Sequence, residues 1–143
     1  MHQGNGTAEI FASVPQVFTF SMHGRANYPF RKETSDLDVA LEPGTSDAAY
    51  LGMLEKQLAE LADRVNPDFV FYLSGVDVLE TDKLGTLALT LTGCRKRDAM
   101  VFSWCRDLGL PVQCSMGGGY SPQLRTIVEA HAATFRTAQF IFA

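Results

Sequence analysis

The 143 residues carry 12 basic and 16 acidic side chains, for a formal net charge of -4, with 46% hydrophobic content. That is enough chain for one domain with a real core, and the acidic balance without a basic cluster argues against a nucleic-acid partner. No run suits a membrane span and no signal pattern opens the chain, while three cysteines without CxxC spacing fit reduced thiols in a cytoplasmic protein.

His2 to Gly6 reads as a glycine-rich loop, followed by a short helical turn from Thr7 to Ala12 that stops before Pro15. Gln16 to Met22 is rich in β-branched and aromatic residues and reads as a buried strand closed by His23-Gly24. Arg25 to Ser35 has no period and reads as a surface loop around Tyr28-Pro29-Phe30. Leu37, Val39 and Leu41 alternate with Asp36, Asp38 and Ala40 as a half-exposed strand does.

Pro43-Gly44 turns the chain, and Ser46 or Asp47 can cap a helix whose Leu51, Leu54, Leu58, Leu61 and Val65 form an apolar stripe. Asn66-Pro67 ends that helix before the strand Phe69 to Leu73. A further helix starts near Thr92 and points Met100, Val101, Trp104, Cys105 and Leu108 inward. Its basic run Arg95-Lys96-Arg97, beside Asp98, reads as a solvated face. Gly109 sits where a C′ glycine belongs, with Pro111 just beyond. Pro111 to Met116 reads as a strand, and Ser121-Pro122 as the cap and first-turn proline of a last helix through Leu124, Ile127 and Val128. Alternating helices and near-continuous apolar strands imply an α/β fold, a parallel sheet with helices on both faces. Residues 1–143 contain no repeat, low-complexity tract or linker, and read as one piece.

In such a sheet the loops after the strands share one rim, where ligand chemistry is placed. Ser74-Gly75-Val76-Asp77 and Met116-Gly117-Gly118-Gly119-Tyr120 both follow strands, so Asp77 and Tyr120 can face a common pocket. His2 joins them only if a strand precedes it. Histidine plus carboxylate suits a catalytic zinc site when a third ligand arrives and one position stays open. A tyrosine beside it can donate to a carbonyl oxygen that gains negative charge. Plainer roles exist for each residue: strand-end Asp residues often cap the next helix, and a terminal histidine is often disordered. His23 and His131 read as satisfied polar contacts, Asp82 as a supporting or capping residue, and Tyr72 and Trp104 as core. His2 to Gly6 lacks the preceding strand and the lysine of a P-loop.

Four stretches resemble the histone deacetylase superfamily: His2-Gln3-Gly4-Asn5-Gly6-Thr7; Ser74-Gly75-Val76-Asp77 with Glu80; Asp82-Lys83-Leu84-Gly85; and Gly117-Gly118-Gly119-Tyr120. Asn27-Tyr28-Pro29-Phe30, Gly44-Thr45 and Tyr50-Leu51 extend the similarity along nearly the whole chain, which looks most like class IV deacetylases and their bacterial relatives. The resemblance implies that His2 and Asp77 are two of three zinc ligands and that Tyr120 polarises the acyl carbonyl. It places Ser21 and Met22 at a structural K+ ion, and Tyr28, Gly118 and Gly119 beside the acyl-lysine channel. A dinuclear arginase-type site is disfavoured, because Gln3 and Gly4 follow the histidine and Leu79, not Asp, lies two residues beyond Asp77.

Two features of the family pattern fall outside these residues: the Asp of its Asp-x-His motif and the His-His pair that serves as general base. The expectation is therefore the carboxyl-terminal part of a single deacetylase domain, taken from a protein about twice as long. The complete protein would be a Zn2+-dependent amidohydrolase removing an acetyl or longer fatty acyl group from lysine side chains or a similar acylated amine. The isolated chain would be a poor enzyme. Its incomplete sheet would expose an edge that invites self-association or a complementing half. The rival reading is a non-catalytic binding or assembly module, or an inactive remnant.

Overall fold

The computed structural model describes residues 1–143 as four helices and four strands in one α/β arrangement. Helix α1 (Asn5–Phe11) leads into strand β1 (Phe20–Gly24), which pairs in parallel with β2 (Leu37–Leu41). Helix α2 (Asp47–Arg64) follows, then β3 (Val70–Leu73), helix α3 (Leu91–Asp107), β4 (Val112–Ser115) parallel to β3, and helix α4 (Leu124–Phe142). No helix is long and apolar enough to cross a membrane.

The apolar stripe of α2 behaves as its spacing requires: Leu54, Leu58 and Leu61 are buried together with Tyr50, while Leu51 is half-buried. Ser46 occupies the N-cap without a side-chain cap bond. Asp47 instead crosses to the start of α3, where Thr90 donates to it from its backbone N–H at 2.9 Å and its hydroxyl at 2.7 Å. Thr90 in turn accepts from the Gly93 N–H at 3.0 Å and caps α3. Gly109 ends that helix region with φ +68°, the left-handed conformation that glycine adopts without a Cβ clash.

Three local expectations are corrected. Strand β1 starts at Phe20 rather than Gln16, because the chain first turns, with Val17 N–H donating to Val14 at 3.0 Å. Asp36 then pins Thr19 through its N–H at 2.7 Å and hydroxyl at 2.8 Å. Ser121-Pro122 does not open the last helix: α4 begins at Leu124 with Gln123 as N-cap, and the Ser121 hydroxyl is engaged with Thr81 at 2.6 Å. The face of α3 carrying Arg97 and Asp98 is not solvated. Both side chains are buried, whereas Leu108, expected inside, is exposed.

The core gathers α2, α3 and the segment from Val76 to Leu89 around Leu41, Leu54, Val76, Leu79, Leu89 and Cys105. Cys94 and Cys105 are buried free thiols, and Cys114 is half-buried. The sheet is not continuous. It consists of two separate two-stranded parallel pieces, β1-β2 and β3-β4. Helices α3 and α4 pack on each other, and α3 meets β3 where Tyr72 lies edge-on to Phe102 with ring centroids 5.6 Å apart, but the side chains on the other side, Phe69, Phe71 and Leu73, are exposed. The architecture is the expected α/β fold of parallel strands and helices, present as a part in which one side of β3 is left uncovered.

Candidate active site

The site lies where the carboxyl ends of β1, β3 and β4 meet the amino-terminal loop. Strand β3 runs directly into Ser74-Gly75-Val76-Asp77, held beside the loop after β4 by Ser74 N–H to Ser115 at 2.9 Å and Val76 N–H to Gly117 at 2.9 Å. From below, Arg97 donates to the Gly75 carbonyl at 2.6 Å. These bonds deliver Asp77 to the rim with its side chain largely buried. The α-ammonium group of Met1 docks on Asp77 Oδ1 at 2.8 Å, and Met1 O accepts from the Gly24 N–H at 2.9 Å.

His2 is exposed, and its Nδ1 hydrogen-bonds the Tyr28 carbonyl. Its neighbour Gln3 is the anchor. Buried Gln3 donates to Glu33 O at 2.8 Å and Asp38 Oδ1 at 2.9 Å, and accepts from Glu33 N–H at 2.9 Å. The loop that reads as unattached in sequence is thus fixed to β2 and its approach. Asn27 is also buried, accepting from Thr86 Oγ1 at 2.6 Å and donating to the Leu84 carbonyl at 3.2 Å.

Asp82 organises the opposite wall. One carboxylate oxygen accepts from the N–H groups of Leu84 and Gly85, both at 2.9 Å, and the other from the Tyr120 N–H at 2.6 Å. It fixes the backbone that carries Tyr120 and leaves that side chain exposed. Gly118 has φ +64°, and a Cβ there would lie 2.6 Å from Asp77 Cγ. Only glycine lets this turn press against the acid.

Together these segments enclose a cavity of about 280 Å³ lined by His2, Asp77, Asp82, Gly117, Gly118 and Tyr120, among others. Of the residues singled out in sequence, His2, Asp77, Gly118 and Tyr120 are brought to this one cavity. Ser21, Met22, Tyr28 and Gly119 are not among its lining residues. The Ser21 hydroxyl contacts His23 Nδ1 at 3.1 Å, Met22 packs on the core, and Gly119 lies against Ile127 and Val76. His131 approaches the Gly118 carbonyl through Nε2 at 3.4 Å. Gln3 and Asp82 carry more of the architecture than their sequence signals suggest; for Asp82 the clue is the Asp-x-x-Gly spacing typical of a carboxylate that folds back on following N–H groups.

Side chains that could donate to a zinc ion are few here. His2 and Asp77 are two, and no group of three or more His, Cys, Asp or Glu side chains is arranged to hold a metal. The 143 residues do not by themselves make a closed zinc site, for which three or four protein ligands are the rule.

The class these features define is an α/β fold of parallel strands that carries an acid and a tyrosine on glycine turns at one rim. Residues 1–135 match the histone deacetylase domain, and the chain belongs to that family. It is 45% identical over 142 residues to an uncharacterized protein of Picosynechococcus sp., covering 99% of this chain and 47% of that protein. With histone deacetylase 2 of Arabidopsis thaliana it shares 31% identity over 122 residues, covering 83% of this chain and 32% of the relative. Its structure resembles the acetylpolyamine aminohydrolase of Burkholderia pseudomallei with a TM-score of 0.81 at 25% identity, covering 99% of this chain and 43% of the other. The chain spans about half the length, or less, of these relatives.

Proposed function

We propose that these residues form part of a zinc-dependent amidohydrolase that removes an acyl group, acetyl or a longer fatty acyl, from a lysine side chain or a similar acylated amine. The observation that carries this reading is the convergence of His2, buried Asp77, Gly118 and Tyr120 on one cavity. In this reading Tyr120 donates its phenolic hydrogen to the acyl oxygen as negative charge develops there. Asp82 holds the tyrosine's backbone, and the close approach of Gly118 shapes the wall beside the acyl group. His2 and Asp77 supply two metal donors, and the remaining donor and the general base come from sequence outside the 143 residues. Taken alone, the chain hydrolyses poorly.

The test is zinc stoichiometry together with hydrolysis of acetyl-lysine and myristoyl-lysine peptides, by this chain and by a longer chain that contains it. The reading expects one zinc and turnover in the longer chain, loss of activity in its Tyr120→Phe and Asp77→Ala variants, and an inert short chain. Failure of both chains to bind zinc refutes the site. Unaided hydrolysis by the short chain refutes the requirement for further residues.

A further inference from the structure

The geometry points to Tyr28 and Phe30 as a fixed aromatic platform beside the mouth of the cavity, and to a polypeptide substrate whose apolar side chain next to the acylated lysine packs on it. This rests on the hydrolytic reading of the cavity and adds to it the class of substrate.

Tyr28 and Phe30 are 69% and 85% exposed, and their rings pair edge-to-face with centroids 6.2 Å apart. A single apolar side chain in water is ordinary on a protein surface, whereas two large rings side by side next to a cavity mark a contact site. The loop that carries them is irregular, yet its backbone is held. Lys32 reaches back and donates through Nζ to Asn27 O at 2.6 Å and to Pro29 O at 2.5 Å. His2 Nδ1 bonds the carbonyl between these two, that of Tyr28, so three successive carbonyls are tied. On one side Asn27 is buried and fixed to Thr86 and Leu84, and on the other Glu33 is bonded through its N–H and carbonyl to Gln3. Rings on a loop that is already ordered lose little further entropy when a partner covers them.

The residues that hold the loop identify the occupant. His2, Gln3 and Leu84 line the cavity, so the platform continues the cavity wall outward and meets whatever extends from it. An amine small enough to be enclosed within about 280 Å³ leaves both rings in water. A polypeptide continues past the mouth on both sides of its lysine and covers them. The chemistry of the covering side chain follows from the neighbours of the rings. Arg31 and Lys32 come directly after Phe30, and neither is in an ion pair with a carboxylate. Two cations beside the rings repel the further amino groups of a polyamine, while an apolar or aromatic side chain meets no such opposition. Aromatic residues on preordered loops are also the side chains that carry most binding energy at interfaces.

Hydrolysis by the longer chain that contains these residues tests the proposal with three probes, each acylated with whichever of acetyl and myristoyl it hydrolyses faster. They are an acyl-lysine peptide with phenylalanine next to the lysine, the same peptide with glycine there, and N-acylcadaverine, which has the amine but no peptide. The expected order of kcat/KM is phenylalanine peptide, glycine peptide, N-acylcadaverine. Phe30→Ala, a change at an exposed side chain, lowers kcat/KM for the phenylalanine peptide by roughly three- to ten-fold, the size of one aromatic pair. The loss falls on KM with kcat unchanged, because the contact lies outside the reacting centre and is made equally in ground and transition states. The other two probes are unaffected. No loss on the phenylalanine peptide, equal losses on all three probes, or N-acylcadaverine as the best substrate overturns the proposal. If the longer chain hydrolyses none of them, the hydrolytic reading fails separately, and the platform is read from peptide binding to the same chain by fluorescence anisotropy. There the phenylalanine peptide binds more tightly than the glycine peptide and Phe30→Ala removes the difference; equal binding, or a difference that survives Phe30→Ala, overturns the platform.

Discussion

Replacing Arg97 by alanine probes the buried ion pair that supports the site from beneath. The guanidinium donates to Asp98 Oδ1 through Nε at 2.9 Å and Nη2 at 2.8 Å, and to the Gly75 carbonyl through Nη1 at 2.6 Å. The two residues are only 4% and 1% exposed, so solvent does not screen the pair. Removing one partner of a buried pair strands the other charge, at a cost of about 3–5 kcal/mol. Asp98 retains the Tyr72 and Thr134 hydroxyls, each at 2.6 Å, which places the expected loss near the lower end, about 3 kcal/mol. That is a large share of the roughly 5–15 kcal/mol by which domains are stable. Urea unfolding followed by fluorescence of Trp104, the only tryptophan, reads it directly. The double variant Arg97→Met/Asp98→Leu should recover only part of the loss, because it removes the stranded charge but takes partners from the Tyr72 and Thr134 hydroxyls and the Gly75 carbonyl. A loss below about 1 kcal/mol for Arg97→Ala, the range of exposed pairs, would refute the argument.

Gly118→Ala should destabilise the chain by more than the ~1–2 kcal/mol of left-handed strain, since its Cβ would also fall 2.6 Å from Asp77 Cγ; thermal unfolding checks it, and a wild-type melting temperature would contradict the close approach. Burial holds His23 below its ordinary pKa of 6.5, the attraction of Asp38 acting against this and Lys32 with it. A lowered folded pKa means that the unfolded chain takes up the proton first, so stability is fully present above pH 6.5 and is lost as pH falls through and below it. The urea midpoint should therefore drop between pH 7.5 and 5.5, and His23→Gln should flatten that dependence. Burial pushes Cys105 to about 11. At pH 8 an alkylating reagent should label Cys114 in the folded chain and reach Cys94 and Cys105 only on unfolding, read by mass spectrometry.

The elements were legible because their signals are local. The stripe of α2 repeats at the helical period, Leu37, Val39 and Leu41 alternate, and Gly109 followed by Pro111 marks the end of α3 within a few residues. The placement of Asp77 and Tyr120 on one rim also followed, since parallel strands bring their outgoing loops to the same edge. What failed were inferences in which a short window stood in for a distant partner. Arg95-Lys96-Arg97-Asp98 looks like any charged helix face, and only the packing of α3 against β3 and α4 shows Arg97 and Asp98 meeting Tyr72, Thr134 and Gly75.

Ser121-Pro122 has the composition of a helix start, yet Thr81, forty residues earlier in the chain, takes the serine hydroxyl and the helix opens at Leu124. Periodicity, turn chemistry and motif order depend on neighbours along the chain, and these determined the element types, the α/β class and the family. The anchoring of His2 through Gln3, the bracing of Tyr120 by Asp82 and the burial of the Arg97–Asp98 pair depend on contacts between residues far apart in sequence. Tertiary structure alone decided them, because a side chain's charge or hydrogen-bond state is set by what folds against it.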